Sequence, residues 1–239
     1  MKMVQAMTVY QLSFMPRLFP VNCYFVEEED SLTLIDTALP YSAKAILQAM
    51  RNIGKTITRI ALTHAHNDHV GALDALKQAL PDATVYISKR DARLLAGDFT
   101  LDADEPATPI NGGFAKALKT RANILLQDGD RVGSLLALAV PGHTPGSMAF
   151  LDTRNDALIA GDAFQTRGGI AVSGRLRPWF PFPALATWNK EKALESARTL
   201  RAYNPTLLAA GHGELLHRPG PAIDRAIAEA ERALARHSS

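Results

Sequence analysis

The sequence predicts an α/β protein built from β-sheets that are covered by helices. Short apolar runs rich in Val, Leu, Ile, Tyr and Phe alternate with segments whose apolar residues recur at helical spacing. The chain of 239 residues is 47% hydrophobic and 21% charged, so it can bury a sizeable core. No linker rich in Gly or Ser divides it, and we therefore expect residues 1–239 to form a single domain.

The first half of the chain is predicted to alternate strands with helices. Strands are expected at residues 4–10, 23–26, 32–36, 57–62 and 84–87, and helices at residues 41–53, 71–80 and 89–95. Gly54 is typical of a residue that ends the first of these helices. The acidic run at residues 27–30 indicates a solvated hairpin turn. The helix at 71–80 is expected to turn four residues to the core: Leu73, Leu76, Ala79 and Leu80.

Two irregular stretches interrupt the second half. Residues 97–113 predict a loop of the length that often forms a lid or binding loop, followed by a short helix at 114–120. Residues 166–183 hold Trp179, Phe180 and Phe182, which we expect to line an apolar slot, with Arg167 or Arg175 pairing with a substrate carboxylate. Packing of this loop or a dimer contact is the alternative. The remaining elements are strands at 135–140, 149–152, 158–160 and 206–210, and helices at 188–203 and 222–236.

The segment after the strand at 57–62 contains three of the seven histidines. It reads Thr63-His64-Ala65-His66-Asn67-Asp68-His69-Val70-Gly71. Imidazole nitrogens and a carboxylate suit zinc, manganese or iron. A helix would spread the four candidate ligands around its circumference, because they lie at positions i, i+2, i+4 and i+5. The cluster therefore predicts a loop at the C-terminal edge of a strand. A polar turn that is rich in histidine is the alternative.

Three further candidate ligands follow apolar strands, each with glycine beside it: His143, Asp162 and His212. Glycine permits tight turns and close approach of the backbone to a metal. One Gly-His pair alone is a weak signal, because a capped helix or a buried core histidine also explains it. Four such sites at strand ends in one chain jointly predict a metal centre.

With these residues in place, the sequence resembles the metallo-β-lactamase superfamily. The motif H-x-H-x-D-H at residues 64–69, with the downstream His, Asp and His, carries the resemblance, which extends from the N-terminal strands to His212. The resemblance implies a four-layer αββα sandwich, in which two mixed sheets pack together and helices flank them. It places the metals at one edge of the sandwich.

The resemblance also implies two divalent metal ions, zinc in the first instance, with manganese or iron as alternatives. It assigns three ligands to each metal and one to both: His64, His66 and His143 to the first, Asp68, His69 and His212 to the second, and Asp162 as the bridge. A metal-bridging hydroxide is then the nucleophile, since two dications lower the pKa of a shared water. Asp68 is also the candidate catalytic general acid.

Two further groups of polar residues are considered beside the ligands. The first group contains candidates to orient the ligands, and the second contains histidines that are not expected to be ligands. The first group is Thr63, Asn67, Thr144 and Asp36, for which ordinary turn capping is an equally good interpretation. His217 is expected at the surface or rim, and His237, in the C-terminal tail, is not expected to be a ligand.

The bridging aspartate narrows the implied chemistry. Zinc β-lactamases of the cysteine-ligand types have cysteine where this chain has Asp162, so the resemblance is to the glyoxalase II-like and lactonase-like branch. The short stretch after His212 disfavours a glutathione thioester, although not the thioesterase reaction. Acyl-homoserine lactonases carry tyrosine where this chain has Gln165, which puts that assignment in question. Diiron oxygen-reducing relatives have glutamate at the position of His66, which argues against them.

The sequence therefore predicts a dinuclear metal-dependent hydrolase of a small ester, lactone or thioester. The alternatives are a mononuclear-iron sulfur dioxygenase and a non-catalytic metal-bearing binding protein.

Charge and hydropathy bound the partners and the location. The formal charge of +2, without a long basic run, does not indicate nucleic-acid binding. No stretch approaches the roughly 20 apolar residues that cross a bilayer, and the N-terminus lacks the apolar segment of a secretory signal. The single cysteine, Cys23, is expected to be a buried strand residue. We expect a cytoplasmic protein that acts on a small molecule, with neither a nucleic-acid nor a membrane partner; a homodimer is compatible with the sequence.

Overall fold

The computed structural model describes residues 1–115 and 118–236. Its first large sheet has seven strands in sequence order: β1 (Lys2–Ala6), β2 (Val9–Phe14), β3 (Val21–Glu27), β4 (Ser31–Ile35), β5 (Thr56–Ala61), β6 (Thr84–Ser88) and β7 (Ile124–Leu126). The strands from β1 to β4 pair antiparallel, whereas those from β4 to β7 pair parallel. The parallel half directs the C-terminal ends of β4, β5 and β6 to one edge of the sheet.

The second large sheet has six strands: β8 (Arg131–Val132), β9 (Leu135–Ala139), β10 (Met148–Asp152), β11 (Ala157–Gly161), β14 (Leu207–Ala210) and β15 (Leu216–His217). Their order across the sheet is β15-β14-β11-β10-β9-β8, and only the pair of β11 with β14 is parallel. A small separate sheet is formed by β12 (Phe164–Gln165) and β13 (Ala171–Val172). Both large sheets are therefore mixed, as the sequence predicts.

Helices cover the outer face of each large sheet. The helices are α1 (Ala43–Ile53), α2 (Asn67–Val70), α3 (Leu73–Ala79), α4 (Lys89–Leu95), α5 (Phe182–Leu185), α6 (Lys190–Ala202) and α7 (Gly220–Ala235). The outer layers consist of α1, α3 and α4 on the first sheet and α6 and α7 on the second. One apolar cluster joins the first sheet to α1, α3 and α4, and another joins the second sheet to α6 and α7. A third cluster lies between the sheets. The order of layers is therefore αββα, which confirms the predicted fold class.

The alternation of side chains along the strands builds these layers. On β3, Cys23 and Phe25 face the helix-covered cluster, while Tyr24 faces the opposite sheet. On β10, Phe150 lies between the sheets and its neighbour Leu151 faces the outer helices. Because the central strands are largely buried on both faces, they are mainly apolar, and this is why they could be recognised in the sequence.

Several predicted elements are confirmed and others are wrong. The helix at 89–95 and the loop at 97–113 are confirmed, as are Gly54, which ends α1 in the left-handed conformation, and the buried Cys23. The single strand at 4–10 is wrong, because a turn with Met7 at φ 54° separates β1 from β2. That turn holds no Gly, Pro, Asn or Asp, so the usual turn signal is missing.

The helix predicted at 71–80 is also incorrect in its bounds. Helix α2 already begins at Asn67, α3 follows from Leu73, and Ala79 is exposed. The short helix predicted at 114–120 is not found in residues 114–115 and 118–120, while Lys116 and Ala117 lie outside the described residues. Phe114 instead makes an isolated bridge to His66.

Within residues 1–115 and 118–236, no helix combines the length and the apolar character that crossing a membrane requires.

Buried rings in the layer between the sheets should contribute strongly to the stability of the fold. We expect Phe150→Ala to lower the free energy of unfolding by about 3–5 kcal/mol, because it removes a fully buried ring and leaves a cavity. Urea unfolding followed by circular dichroism measures this. The control is Leu18→Ala, at a residue 81% exposed, which should change the value by no more than about 0.5 kcal/mol. Equal effects of the two substitutions would contradict the assignment of the core.

Candidate metal centre

The candidate ligands of the motif leave β5 and enter helix α2. His64 and His66 lie in the segment between the two elements, and His66 is extended at φ −68° and ψ 146° as the residue before α2. Asp68 and His69 follow within the single turn of α2. The loop predicted for the whole motif is therefore correct for the first two ligands, and a short helix carries the other two.

The second sheet supplies the remaining ligands, each just beyond a strand. His143 follows β9, Asp162 follows β11 and His212 follows β14. Because β11 and β14 are parallel neighbours, Asp162 and His212 emerge at the same edge. All seven predicted ligands are thus brought to one place between the two sheets, and all except Asp68 are buried.

The carboxylate of Asp162 lies among the imidazoles. Its Oδ2 is 3.4 Å from Nε2 of His143 and 3.2 Å from Nε2 of His212, and its Oδ1 is 3.4 Å from Nε2 of His69. Oδ2 of Asp68 is 3.4 Å from Nε2 of His212. The candidate ligands form three sets, and within each set the ligand atoms lie within 4.8 Å of one another. The sets are His64, His66 and His143; His64, His69 and Asp162; and Asp68, His69 and His212.

The chemistry of these atoms fits divalent cations. Nε2 of His64, Nε2 of His69 and Oδ1 of Asp162 are buried and meet no hydrogen-bond partner within the described part of the chain. A buried polar atom without a partner costs about 1–3 kcal/mol, so three of them at one point fit a site that binds cations. A set of imidazoles and carboxylates is the donor set that zinc, iron and manganese prefer.

Each candidate histidine is fixed by its other ring nitrogen. Four of the five outer contacts are His64 Nδ1 to Thr63 Oγ1 (3.0 Å), His66 Nε2 to the Asn111 carbonyl (3.0 Å), His143 Nδ1 to Ser173 Oγ (3.0 Å) and His212 Nδ1 to the Pro20 carbonyl (2.6 Å). The fifth is His69 Nδ1 to Asp36 Oδ2 (2.7 Å). Such contacts set the tautomer and leave the inner nitrogen free to bind a metal.

Asp36 connects two of these histidines. The Thr63 hydroxyl donates to Oδ2 of Asp36 at 2.7 Å, so Thr63 Oγ1 is free to accept from the imidazole of His64. The backbone N–H of Thr63 donates to Oδ1 of Asp36 at 2.8 Å. Asp36 itself lies at φ 60°, a conformation that Asp tolerates better than most residues. The prediction that Asp36 and Thr63 orient the ligands agrees with these contacts.

The two other residues predicted to orient ligands make no such contact. Asn67 is exposed, and its backbone N–H donates to the carbonyl of Gly113 at 2.8 Å, whereas its side chain contacts no imidazole within residues 1–115 and 118–236. The Thr144 hydroxyl donates to Oδ2 of Asp91 at 2.8 Å rather than to an imidazole. His217 is exposed on β15, as predicted, and His237 lies outside the described residues.

Burial and charge set opposite pKa directions within the centre. Burial and the neighbouring imidazoles hold the pKa of His64 well below its ordinary value, and burial does the same for the pKa of His143. Burial also lowers the pKa of His69, but the carboxylates of Asp162, Asp36 and Asp68 outweigh it, so that this pKa is raised. The low pKa values of His64 and His143 favour neutral imidazole, which is the form that binds a metal. The carboxylates around His69 attract positive charge, so both features suit metal cations.

Asp91 holds together two loops that carry candidate ligands, and its role was not predicted from the sequence. This buried carboxylate accepts from the N–H of Ala65 at 2.8 Å, from the Thr144 hydroxyl at 2.8 Å and from the N–H of Gly146 at 2.8 Å. It therefore joins the loop of His64 and His66 to the loop of His143. In the sequence Asp91 resembles an ordinary residue of a helix first turn, three positions after the capping residue Ser88.

Two glycines lie where no side chain fits. A Cβ at Gly211 would overlap with Oδ1 of Asp162, and one at Gly112 would overlap with Nε2 of His66. The first lets β14 approach the central carboxylate. The second lets the loop at 97–113 cover the outer edge of His66, while the Phe114 ring packs 4.8 Å from the His66 ring. This loop therefore borders the centre, as expected of a binding loop.

The aromatic residues of the stretch 166–183 separate into different roles. Phe180 is 1% exposed and lies 5.2 Å from the ring of His212, and it also contacts Phe19 at 5.1 Å. Phe182 is 52% exposed and packs on Phe19 at 4.9 Å. Trp179 is 88% exposed, so it does not line a closed slot in this structure. Phe19 and Phe182 therefore form the aromatic surface beside the centre, and the buried ring of Phe180 supports them from below.

The two arginines expected to pair with a substrate carboxylate have different surroundings, and that pairing stays a prediction. The backbone N–H of Arg167 donates to the carbonyl of His212 at 3.2 Å. Arg167 donates to the carbonyl of Arg17 at 2.6 Å. Arg175 lines a cavity together with residues of α6 and α7. Gln165 is buried, and its amide donates to the carbonyls of Arg167 and Phe180, each at 3.1 Å, so it holds this loop in place.

Comparison with known proteins gives one family and several relatives. The model of the family described as "Metallo-beta-lactamase superfamily" matches residues 16–212. The "Uncharacterized protein YobT" of Bacillus subtilis is 57% identical over 97% of this chain and 100% of its own length. The "Probable metallo-hydrolase YqgX" of the same organism is 31% identical over 80% of this chain and 84% of its own.

Two further matches bear on the chemistry. The "Hydroxyacylglutathione hydrolase" of Gloeobacter violaceus is 28% identical over 62% of this chain, a match that spans 50% of that enzyme. The solved structure of TTHA1623 in a di-iron-bound form is 28% identical, with a TM-score of 0.64, and the match covers 89% of this chain and 96% of that chain.

Asp91 should give the stability of the chain a measurable pH dependence. Burial raises the pKa of Asp91 to about 6 from an ordinary 3.8. Between these values the folded chain binds more protons than the unfolded chain, so the free energy of unfolding falls as the pH rises, by a total on the order of 3 kcal/mol. We expect Asp91→Asn to remove this component. The measurement is urea unfolding of both proteins, treated with a chelator, from about pH 4 to about pH 7.

The variant will also lose stability at every pH, because an amide nitrogen would face backbone N–H groups, but that offset does not change the slope. The control is Asp82→Asn, at an exposed residue. A difference between wild type and Asp91→Asn that stays constant over the pH range would show that Asp91 does not titrate there.

Proposed function

The chain belongs to the metallo-beta-lactamase superfamily, and we propose that it is a dinuclear metal-dependent hydrolase of a small ester, lactone or thioester. One observation carries the proposal: two sets of candidate ligands lie on either side of the carboxylate of Asp162. The sets are His64, His66 and His143 on one side, and Asp68, His69 and His212 on the other. Oδ2 of Asp162 lies within 3.4 Å of one histidine of each set. A single carboxylate in this position is suited to bind two cations at once.

We assign one divalent ion to each set, with Asp162 shared between them. Zinc and iron both accept imidazole and carboxylate, and the two irons in TTHA1623 support iron as an alternative to zinc. When bound, the ions would supply an activated water as the nucleophile and would polarise the scissile carbonyl.

The residues of the chain divide the remaining work between them. The outer contacts of Asp36, Thr63, Ser173 and the carbonyls hold the imidazoles in one tautomer. Asp68 differs from the other candidate ligands because its side chain is 27% exposed, so it faces the open side of the centre. From there its carboxylate can accept the proton that the attacking water gives up and pass it to the leaving oxygen or sulfur, as a general acid.

The aromatic surface beside His212 supports a substrate with an apolar acyl group. Phe19, Phe180 and Phe182 form a continuous set of rings that begins at the imidazole of His212 and ends in the half-exposed ring of Phe182. A thioester or an open-chain ester is favoured over a lactone. Acyl-homoserine lactonases carry tyrosine at the position of Gln165, and here the amide of Gln165 donates to backbone carbonyls instead of facing a substrate. The match to the hydroxyacylglutathione hydrolase also supports a thioester. We propose a small-molecule substrate and no nucleic-acid partner.

Metal analysis and a substrate panel test the proposal. The purified chain should hold about two divalent ions, and it should hydrolyse members of a panel of aryl esters, acyl thioesters and lactones. Activity should be lost on chelation and return when zinc or iron is added. One iron per chain with oxygen uptake would instead support the mononuclear-iron sulfur dioxygenase. Absence of hydrolysis by the fully loaded protein would support a metal-bearing binding protein.

Asp68 should be required for turnover but not for folding. We expect Asp68→Ala to lower kcat by at least about 100-fold, because it removes a ligand and the proton donor together. His143→Ala should have a comparable effect through the other set. Steady-state kinetics on a hydrolysed member of the panel measure both, and circular dichroism reports the folded state. Asp82→Ala, at an exposed carboxylate away from the centre, should leave kcat unchanged. Retained turnover in a folded Asp68→Ala protein would refute this role.

A further inference from the structure

A cavity lies next to Ser173, the residue whose hydroxyl contacts Nδ1 of His143. Its volume is about 230 Å³, and its wall combines the segment that follows β13, the start of α6 and the end of α7. The lining residues are Ser173, Gly174, Arg175, Leu176, Lys190, Glu191, Ala230, Ala233 and Leu234. An adjoining cavity of about 290 Å³ shares Arg175 and Ala233 with it and adds Glu229, Arg232 and Arg236. Neither cavity contains a candidate ligand of the metal centre.

Positive charge exceeds negative charge in these cavities. Arg175, Lys190 and Arg232 form no ion pair with another described residue. The negative charge of Glu229 is already matched, since Arg177 lies 2.9 Å from it, and only Glu191 adds an uncompensated carboxylate. Cations that share a concave wall without partners repel one another, and an anion between them would relieve that repulsion.

Arg175 carries the most specific signal. Its Nε is buried and meets no hydrogen-bond partner among residues 1–115 and 118–236. A buried guanidinium donor without an acceptor costs more than a neutral donor, which indicates that an acceptor belongs there. The planar guanidinium presents paired donors that match a carboxylate or a phosphate, and the ammonium of Lys190 adds a second positive charge.

The cavity also has an apolar wall, formed by Leu176, Ala230 and Leu234. Cations at one side and aliphatic carbon at the other suit a molecule with an anionic head and an apolar remainder. Inorganic ions use only the first of these features. The cavity is therefore better matched to an organic anion.

We propose that this cavity binds a small organic anion, with a carboxylate or phosphate head on Arg175 and Lys190, and that it contacts the metal centre through Ser173. The Ser173 hydroxyl lies 3.0 Å from Nδ1 of His143, and Ser173 also lines the cavity. On the other wall, Lys190 follows directly after Trp188 and Asn189, whose N–H groups donate to the carbonyls of His143 and Gly142. Both walls are therefore continuous with segments that hold His143.

Calorimetric titration of the metal-loaded, full-length chain tests the site. The probes are phenyl phosphate, benzoate and inorganic phosphate, and benzyl alcohol serves as the neutral analogue. We expect binding of phenyl phosphate or benzoate that is tighter than that of inorganic phosphate, and none of benzyl alcohol. Arg175→Gln and Lys190→Gln should each weaken binding by about tenfold or more. Arg51→Gln, at an exposed arginine of α1 across the sandwich, should bind like wild type.

The variants separate this cavity from the metal centre, which also attracts anions. Binding that is equally tight in wild type, Arg175→Gln and Lys190→Gln would place the anion elsewhere and overturn the proposal. Absence of binding by wild type at millimolar probe would also overturn it. Neither result bears on hydrolysis, so the proposed function stands or fails separately.

The contact through Ser173 has its own readout. Phenyl phosphate should shift the imidazole NMR signals of His143 in wild type and should leave them unchanged in Arg175→Gln. Signals of His143 that stay unchanged in wild type, while calorimetry shows binding, would remove the contact with the metal centre from the proposal.

Discussion

The buried carboxylate of Asp162, held between two sets of imidazoles, is the contact on which the rest of the site depends. Its Oδ1 lies 3.4 Å from Nε2 of His69, and its Oδ2 lies 3.4 Å from Nε2 of His143 and 3.2 Å from Nε2 of His212. Buried carboxylates and imidazoles are costly to leave without partners, yet inner atoms of this set meet none within the described residues. The chain tolerates that cost because each outer nitrogen is fixed separately. The inner atoms are therefore positioned before any cation arrives.

The two sheets hold this geometry together. Tyr24 of β3 donates to the carbonyl of Ala210 at 2.5 Å, and the amide of Asn22 donates to the same carbonyl at 2.9 Å. These contacts tie the first sheet to the end of β14, beside His212. Asp91 does the same for the two loops that carry His64, His66 and His143. The centre thus lies between the two sheets, and hydrogen bonds join the sheets and loops at the point where the apolar core ends and the candidate ligands begin.

The fold and the seven candidate ligands could largely be predicted from the sequence. Strands buried on both faces give continuous apolar runs, and ligands with glycine beside them follow those runs directly. The supporting residues were harder to find. Asp91 is recognised only when the loops of Ala65 and Gly146 meet it in space, and its position in α4 resembles a helix cap. The turn at Met7 has no turn-forming residue, and β8 and β15 have two residues each, too few to show a period.

The parallel pairing of β14 with β11 has a consequence for how the protein acquires its metal during biosynthesis. His212 reaches the centre only when β14 has been added beside β11, after α6 has crossed over the sheet. A chain in which β14 is not yet in place presents the candidate ligands of α2 but still lacks this partner of Asp68 and Asp162. The full set of candidate ligands therefore exists only once the second sheet is complete, so formation of the site is coupled to folding of the whole sandwich.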